Sequence, residues 1–443
     1  MEIVRGVSMA ELSVRSETRS ATLARLKAIL GGSAGNLVEW YDWFAYASFS
    51  LYFAKVFFPQ GDQTAQLLQT AAIFAVGFLA RPVGAWIFGL YADRVGRKTA
   101  LAASVALMCF GSLIVAAVPG YDRIGVWAPV ILTLARILQG LSVGGEYGAS
   151  ATYMSEVAGS RRRGFWASFQ FVTIIGGQLA ALGVLMVLQA LLSPAELTAW
   201  GWRIPFVIGA ALAVVVFFIQ VGLKESAAFE ANRGNPLPRS SALGLLARHP
   251  RETLIIFVLT SGGSLGFYCY TTYMQKYLTN SGHFSKGAAT TLSACSLVVY
   301  LLLHPLLGWI GDLIGRTRLM AIGFALGALS VWPIMTALSD TRSAPAALAL
   351  VCAALLFLAG YTSVNAVVKA ELFPTPMRAL GVALPYALAN TVFGGTAEYV
   401  ALAFKQAGRE SGFFIYVAVI MAVSALTAFF MGDPRRLGLI EDE

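Results

Sequence analysis

Several ionisable residues interrupt long apolar stretches of this chain, and the types of five of them indicate the chemistry that they can perform. These five are Glu39, Asp42, Arg81, Arg136 and Glu146. A charge in apolar surroundings is costly, so each one is a functional candidate by default. The guanidinium fork of arginine matches a carboxylate through two hydrogen bonds, and a carboxyl group can take up and release a proton. The set therefore indicates anion binding together with proton exchange.

Arg81 is the first candidate for binding an anion. Pro82 follows it, lacks an N–H group, and so frees the backbone carbonyl of Phe78 within the same helix. A purely structural ion pair of Arg81 with Glu39 or Glu146 is the alternative. The two roles are compatible, because a pair that opens when substrate arrives couples binding to movement.

The acidic residues Glu39, Asp42 and Glu146 are the predicted proton carriers. Glu39 and Asp42 are three positions apart, so they lie on neighbouring parts of one helix face. The sequence does not rank one of these two above the other. Arg136 is the second cationic candidate for binding the anion.

Neutral polar side chains in other apolar stretches are predicted to complete the binding site. They are Gln170, Gln178, Tyr268, Tyr273 and Asn390. Amide and hydroxyl groups supply hydrogen bonds to an anion without adding charge. The alternative for each tyrosine is packing or a place in the interfacial belt, which accounts for most aromatic residues of membrane helices.

The composition requires a lipid bilayer, rather than water, around these stretches. Of the 443 residues, 57% are hydrophobic and 12% are charged, and the mean hydropathy is +0.70. Soluble domains carry roughly 25% charged residues. The net charge of +9 is spread singly over short loops, which is typical of membrane topology and argues against nucleic acid as a partner. Cysteines and histidines are scattered, so we predict no metal, no cofactor and no enzymatic activity.

Twelve apolar runs are each long enough to cross a hydrocarbon core of about 30 Å as a helix. They extend over residues 28–57, 66–90, 99–119, 127–154, 164–192, 203–222, 253–278, 288–310, 318–338, 346–368, 378–404 and 411–431. The sequence predicts an all-α membrane protein with two pseudo-symmetric six-helix bundles, at 28–222 and 253–431. A disordered tail (1–27), a central loop (223–252) and a second tail (432–443) are predicted to be cytoplasmic, because basic residues concentrate on that side.

A glycine-containing basic turn follows the second run and returns in weaker form after the eighth. The first copy contains Gly89, Asp93, Arg94, Gly96 and Arg97, and the second contains Asp312 and Arg316. A glutamate and an arginine with six residues between them also recur, as Glu156/Arg163 and Glu371/Arg378. Two motifs repeated in the same order indicate that the chain consists of two related halves.

These charges are predicted to form a latch at the cytoplasmic end of the bundle. Asp93 could hold Arg163 or the first turn of a neighbouring helix, and Glu156 could pair with Arg94 or Arg97. Such an ionic cluster is made in one conformation and broken in another. The alternative is that the basic residues only anchor the chain at the membrane surface, which leaves Asp93 and the fixed glycines unexplained.

The motifs resemble those of a known transporter family. The basic turns and the repeated Glu-x6-Arg pattern are similar to the major facilitator superfamily. Within it, the chain most resembles the metabolite:proton symporters that carry α-ketoglutarate, through GNLVEWYDWF, GFLARPVGAWIFGLYADRVGRK, ARILQGLSVGGEYGASATYMSEV, WGWRIPF, TTYMQKYL and VKAELFPTPMRALGV. The similarity extends from about Gly31 to Gly432. Leu313 stands where the first basic turn has Arg94, so the second latch is expected to be weaker.

The resemblance implies two bundles that rock around a central site, with proton-driven uptake of a dicarboxylate such as α-ketoglutarate. It also implies a role for Arg136 in proton coupling. The expected partners are a small dicarboxylate, protons and lipid, and the expected form is a monomer in the inner membrane with both termini in the cytoplasm. Three alternatives stay open: a related symporter for citrate or shikimate, one for a zwitterionic osmolyte, and a membrane sensor that binds the acid without moving it.

Overall fold

Apolar runs bounded by glycine, proline or charged turns form the helices of this protein, as their length and hydropathy predict. The computed structural model describes residues 35–95, 97–144, 162–222, 248–373 and 375–434. All regular structure within these residues is helical. We label α1–α12 the helices that correspond to the twelve predicted runs.

Helices α1–α6 come from the first half of the chain. They are α1 (35–57), α2 (Gln63–Val95), α3 (Arg97–Ala117), α4 (Trp127–Val143), α5 (Arg163–Ala167, continuing as Phe169–Leu191) and α6 (Ile204–Gly222). Two short helices, Tyr121–Ile124 and Pro194–Ala199, lie in the connections. The predicted start of the first run, at residue 28, lies outside the described residues.

Helices α7–α12 come from the second half. They are α7 (Pro250–Phe267, then a π-helical turn Tyr268–Tyr273 and Met274–Asn280), α8 (Lys286–Ile314), α9 (Arg316–Asp340), α10 (Ala344–Thr362, resuming as Asn365–Ala370), α11 (Thr375–Ala389, then a π-helical turn Asn390–Gly394 and Ala397–Gln406) and α12 (Glu410–Phe430). The order of elements therefore follows the twelve predicted runs.

Eight helices of the described chain are long and apolar enough to cross a membrane. Two shorter apolar stretches, Ala102–Ala117 and Trp127–Val143, supply α3 and α4. The other two are α1, which carries Glu39 and Asp42, and α11, which contains a π-helical turn. The predicted class, an all-α membrane protein, is confirmed.

The outer surface of the bundle is apolar, and charged groups lie inside it. Leu329, Phe430 and Trp86 are 77%, 74% and 67% exposed, whereas Glu39 and Arg136 are buried. Soluble proteins show the opposite arrangement. This distribution is expected of a chain that is surrounded by lipid and satisfies its polar groups internally.

Glycines allow α2 and α4 to cross at very short distance. A Cβ atom added to Gly84 would lie 2.0 Å from the carbonyl oxygen of Leu141, and one added to Gly144 would lie 2.1 Å from that of Arg81. Only small residues permit such an approach of two backbones. The crossing sets the segment of α2 that carries Arg81 against the helix that carries Arg136.

The two halves of the chain are joined near the middle of α2 by a hydrogen bond. The hydroxyl of Thr391, in the π-helical turn of α11, donates to the carbonyl oxygen of Phe78 over 3.0 Å. This carbonyl is free because Pro82, four residues on, has no N–H group to bond it. A proline in the first half thus creates the acceptor for the second half.

The halves also touch at both ends of the bundle. At one end, which we call the Asp312 end, a Cβ atom on Gly164 of α5 would lie 2.6 Å from the carbonyl oxygen of Gly308 of α8. At the opposite end, the Lys286 end, the Nζ atom of Lys286 donates to the carbonyl oxygen of Leu51 over 2.8 Å. The interior between the halves is therefore bounded by contacts at both ends.

Candidate functional site

The guanidinium group of Arg81 lies against aromatic rings. Its central carbon lies 4.0 Å from the ring centroid of Trp43 and 4.1 Å from that of Phe78. The group also interacts with the hydroxyl of Tyr268 in α7, in the other half. Its Nε and Nη2 atoms have no hydrogen-bond partner among the described residues. These buried donors are available to a ligand, since leaving them unbonded is costly.

Arg136 shares the indole ring of Trp43 with Arg81. Its guanidinium carbon lies 4.1 Å from the centroid of Trp43 and 4.5 Å from that of Tyr46. The indole has an electron-rich face that attracts cations. The aromatic residues of α1 therefore hold both predicted cations within one cluster.

Asp42 is connected to Arg136 through an amide side chain that sequence reasoning did not select. Arg136 Nη1 donates to Gln139 Oε1 over 2.7 Å, and Gln139 Nε2 donates to Asp42 Oδ2 over 2.5 Å. The hydroxyl of Ser112 donates to Asp42 Oδ1 over 2.5 Å. All four residues are buried. The position of Gln139, three residues after Arg136 on one helix, is the signal that could have identified it.

Glu39 and Asp42, which the sequence could not rank, have different surroundings. Asp42 belongs to the network with Gln139 and Ser112 just described. Glu39 is also buried, but its electrostatic interaction is with Arg81. The third predicted proton carrier, Glu146, lies outside the described residues. The two acidic groups of α1 thus interact with different arginines, Asp42 with Arg136 and Glu39 with Arg81.

A cavity lies between the halves, and two of its wall residues, Tyr268 and Tyr386, interact electrostatically with Arg81. Its walls are mainly aromatic, with a few hydroxyl and amide groups, and they comprise Trp40, Phe171, Ile174, Gly263, Ser264, Phe267, Tyr268, Tyr361, Tyr386 and Asn390. Tyr268 and Asn390 were predicted from the sequence as substrate contacts. Largely apolar walls with a few polar groups are typical of small-molecule sites.

The other predicted neutral contacts are not among the residues that line this cavity. Gln170 and Gln178 are buried on α5, four residues before and after the cavity residue Ile174, and therefore on its face of the helix. Tyr273 is not among the cavity residues. Its hydroxyl lies 3.4 Å from Glu410 Oε1.

Two buried lysines of the second half were not selected from the sequence. Lys276 of α7 forms a salt bridge with Glu398 of α11, with 2.8 Å between Nζ and Oε2. Lys369, at the end of α10, lies 4.7 Å from the ring centroid of Tyr386 and 5.4 Å from that of Tyr361. A lysine within an apolar run, or directly at its end, is the signal that could have identified Lys276 and Lys369 respectively.

The second basic turn forms an ionic cluster at the Asp312 end. Asp312 accepts hydrogen bonds from the backbone N–H groups of Gly164 and Phe165, at 2.9 and 3.1 Å, and bonds with Arg316 at 2.7 Å. Arg316 also bonds with the carboxylate of Glu371. A carboxylate at the first turn of a helix stabilises it. Asp312 of one half thus holds the start of α5 in the other.

The remaining predicted latch residues are only partly described. Arg378 is buried, and its Nε atom donates to the carbonyl oxygens of Ala370 and Phe373, at 3.1 and 3.3 Å. Arg163 begins α5 and is half-buried. The described part of the chain does not include Gly96 or Glu156, or the surroundings of Gly89 and the side chains of Asp93, Arg94 and Arg97. The arrangement of the first copy is therefore not described.

Comparison with known proteins assigns the chain to a family. A family model described as "Sugar (and other) transporter" matches residues 28–243 and 231–432. The chain belongs to this transporter family. It is a multi-pass membrane transporter and not an enzyme.

Individual members of this transporter family are similar over nearly the whole chain. The α-ketoglutarate permease of Escherichia coli (strain K12) is 50% identical over 96% of this chain and 98% of its own length. The citrate-proton symporter of Klebsiella pneumoniae is 31% identical over 86% of each chain. The xylose transporter XylE from E. coli, in a partially occluded inward-open conformation, shares the fold with a TM-score of 0.71 at 20% identity, covering 92% of this chain and 97% of that one. The fold is that of the major facilitator superfamily, with twelve helices in two six-helix bundles.

Proposed function

We propose that this transporter is a proton-coupled symporter that imports α-ketoglutarate, a dicarboxylate, across the inner membrane by alternating access. The observation that carries the proposal is the state of Arg81, a buried cation with two donors that no described residue bonds, beside a cavity between the halves. The 50% identical α-ketoglutarate permease supports the choice of substrate. The citrate-proton symporter supports proton coupling.

Arg81 binds one carboxylate of the substrate. The rings of Trp43 and Phe78 fix the guanidinium plane, so little side-chain entropy is lost when the anion arrives. Tyr268 and Asn390 bring hydroxyl and amide groups from the second half to the same cavity. The substrate is therefore contacted by both halves, and its binding favours the conformation in which they are closed around it.

The proton binds to Asp42 and acts on Arg136 through Gln139. Protonation turns Oδ2 of Asp42 from an acceptor into a donor, so the amide nitrogen of Gln139 loses this acceptor and keeps only the hydroxyl of Ser112. The amide then reorients and changes the hydrogen bond that it accepts from Arg136. Because Arg136 and Arg81 share Trp43, this change reaches the substrate site.

The cavity opens alternately at the Asp312 end and at the Lys286 end. We place bundles at 28–222 and 253–431, joined by the loop 223–252, with both termini in the cytoplasm, so that the Asp312 end is the cytoplasmic one. The cluster of Asp312, Arg316 and Glu371 breaks when this end opens. The protein works as a monomer, because one chain contains the whole cavity.

Uptake of radiolabelled α-ketoglutarate into proteoliposomes tests the proposal. We expect accumulation above the external concentration when an inward proton gradient is imposed, and its collapse on addition of a protonophore. Protein-free liposomes are the control. Gradient-independent equilibration would indicate a facilitator or exchanger, and binding without uptake would indicate a sensor. If citrate accumulates and α-ketoglutarate does not compete with it, citrate would take the place of α-ketoglutarate as the proposed substrate.

A further inference from the structure

Lys369 is a buried cation that has no hydrogen-bond partner among the described residues. Its side chain is 1% exposed, and Nζ faces the rings of Tyr386 and Tyr361. Contacts with aromatic faces offset only part of the cost of burying an ammonium group, which needs a counter-charge. Lys276, in the same half, has such a counter-charge, because Oε2 of Glu398 lies 2.8 Å from its Nζ atom.

The aromatic neighbours of Lys369 belong to the wall of the central cavity. Tyr361 and Tyr386 both line it. Arg81, from the other half, interacts electrostatically with Tyr386 and Tyr268, which also lines it. Two cations from different halves therefore approach one cavity. Glu371, two residues after Lys369, is bonded to Arg316 instead.

We propose that Lys369 binds the second carboxylate of the substrate while Arg81 binds the first. This inference rests on the proposed function and deepens it, because it defines the ligand as a short dicarboxylate with one anionic group for each half. The bound substrate joins α2 to α10, and the counter-charge that Lys369 lacks in the described chain is the substrate itself.

A requirement for two carboxylates follows from this arrangement. A monocarboxylate of the same length satisfies Arg81 but leaves Lys369 buried beside a methyl group. Sites built to bond a polar group reject analogues that lack it, because the protein group is then left unpaired. Lys369 therefore determines the preference for dicarboxylates.

The experiment compares α-ketoglutarate with 2-oxopentanoate, which has a methyl group where α-ketoglutarate has its second carboxylate. Both are used unlabelled to inhibit uptake of radiolabelled α-ketoglutarate by proteoliposomes. In Lys369→Met we expect half-inhibition by α-ketoglutarate to require about ten- to a hundred-fold more ligand, with little change for 2-oxopentanoate. The preference for the dicarboxylate therefore collapses. Lys369→Arg should keep part of it.

Lys405→Met is the matched control. Lys405 lies in the same half but bonds with Ser281, at 2.6 Å, and not with a cavity residue. We expect this variant to keep the unsubstituted protein's preference. Size-exclusion profiles verify that each variant is folded, and Lys369→Gln replaces Lys369→Met if the latter aggregates.

Two results would overturn the inference alone. One is an unchanged preference in the Lys369 variants, and the other is an equal loss for both acids, which would mean that Lys369 only positions the tyrosines. Failure of the proposed function would be visible earlier, as absent α-ketoglutarate uptake by the unsubstituted protein. That result would overturn both conclusions together.

Discussion

At the scale of single residues, Trp43 determines how the first half holds its charges. Arg81 and Arg136 lie 4.0 and 4.1 Å from its ring centroid. Two like charges near one ring repel each other, and this repulsion falls when an anion binds either of them. An anion at Arg81 therefore also stabilises Arg136.

Substitution of Arg81 should weaken substrate binding in proportion to the donors that are lost. We expect Arg81→Lys to raise the half-saturation concentration about tenfold and Arg81→Ala about a hundredfold, because lysine keeps the charge but not the fork. Initial rates of α-ketoglutarate uptake give both values. Arg342→Lys is the control, since Arg342 is exposed and bonds with backbone carbonyls such as that of Gly282. Normal uptake by both Arg81 variants would show that the anion binds elsewhere.

Substitution of Asp42 should separate transport from the proton gradient. Asp42→Asn has nearly the same shape but cannot take up the proton, so we expect gradient-driven accumulation to fall to simple equilibration while exchange of labelled for unlabelled substrate persists. Glu39→Gln, on the same helix, should still respond to the gradient, because Glu39 is outside the network of Gln139 and Ser112. Accumulation by Asp42→Asn that remains sensitive to a protonophore would remove Asp42 from the coupling mechanism.

The sequence identified most of the charged residues of the site, but not their partners. Glu39, Asp42, Arg81 and Arg136 were found because a charge in an apolar run is rare and costly. Which carboxylate serves which arginine depends on contacts between helices far apart in sequence, such as the bond from Ser112 to Asp42. No periodicity within one helix contains that information.

At the scale of helices, the buried pair Lys276–Glu398 joins α7 to α11 beyond their π-helical turns. Removing one partner leaves an uncompensated buried charge, so we expect Lys276→Met to destabilise the protein by about 3–5 kcal/mol. The double variant Lys276→Met, Glu398→Leu should recover most of that loss. Lys405→Met, whose partner Glu410 is 3.5 Å away and partly exposed, should cost less than about 1 kcal/mol.

Thermal unfolding in detergent, followed by intrinsic fluorescence, measures these differences in stability. A double variant that is no more stable than Lys276→Met alone would contradict the interpretation. It would mean that the two residues stabilise the protein through other contacts.

The order and approximate bounds of the helices could be predicted, because hydropathy and length alone decide whether a segment spans a bilayer. The π-helical turns Tyr268–Tyr273 and Asn390–Gly394 could not. An extra residue in a helical turn leaves no mark on hydropathy, and both turns lie where α7 packs against α11. These turns carry Tyr268 and Asn390 to the cavity, so the geometry of the site also escaped sequence reasoning.

At the scale of the whole molecule, we expect the close approach of Gly164 to Gly308 to control closure at the Asp312 end. A Cβ atom on Gly164 would lie 2.6 Å from the Gly308 carbonyl oxygen, so Gly164→Ala should force the halves apart there. Gly183→Ala is a control on the same helix, because no atom lies within 4 Å of its Cβ position. We expect the first change, and not the second, to favour the conformation open at this end.

Labelling of a cysteine placed in the cavity measures this opening. Ser264→Cys, in a background without the four native cysteines, should react several-fold faster with a hydrophilic maleimide when Gly164→Ala is present. Equal rates in the Gly164 and Gly183 variants would show that this glycine contact does not limit access.

The hydrogen bond from Thr391 to the Phe78 carbonyl has a mechanical consequence. Phe78 lies near the centre of α2, a helix of 33 residues, so each arm on either side of this point is about 25 Å long. If the halves turn about it by about 10°, the two ends of α2 move by about 4 Å in opposite directions. A rigid helix that turns about its centre cannot move both of its ends in the same direction. The protein would then need no signal between its two entrances to avoid a leak, because opening either one compresses the other.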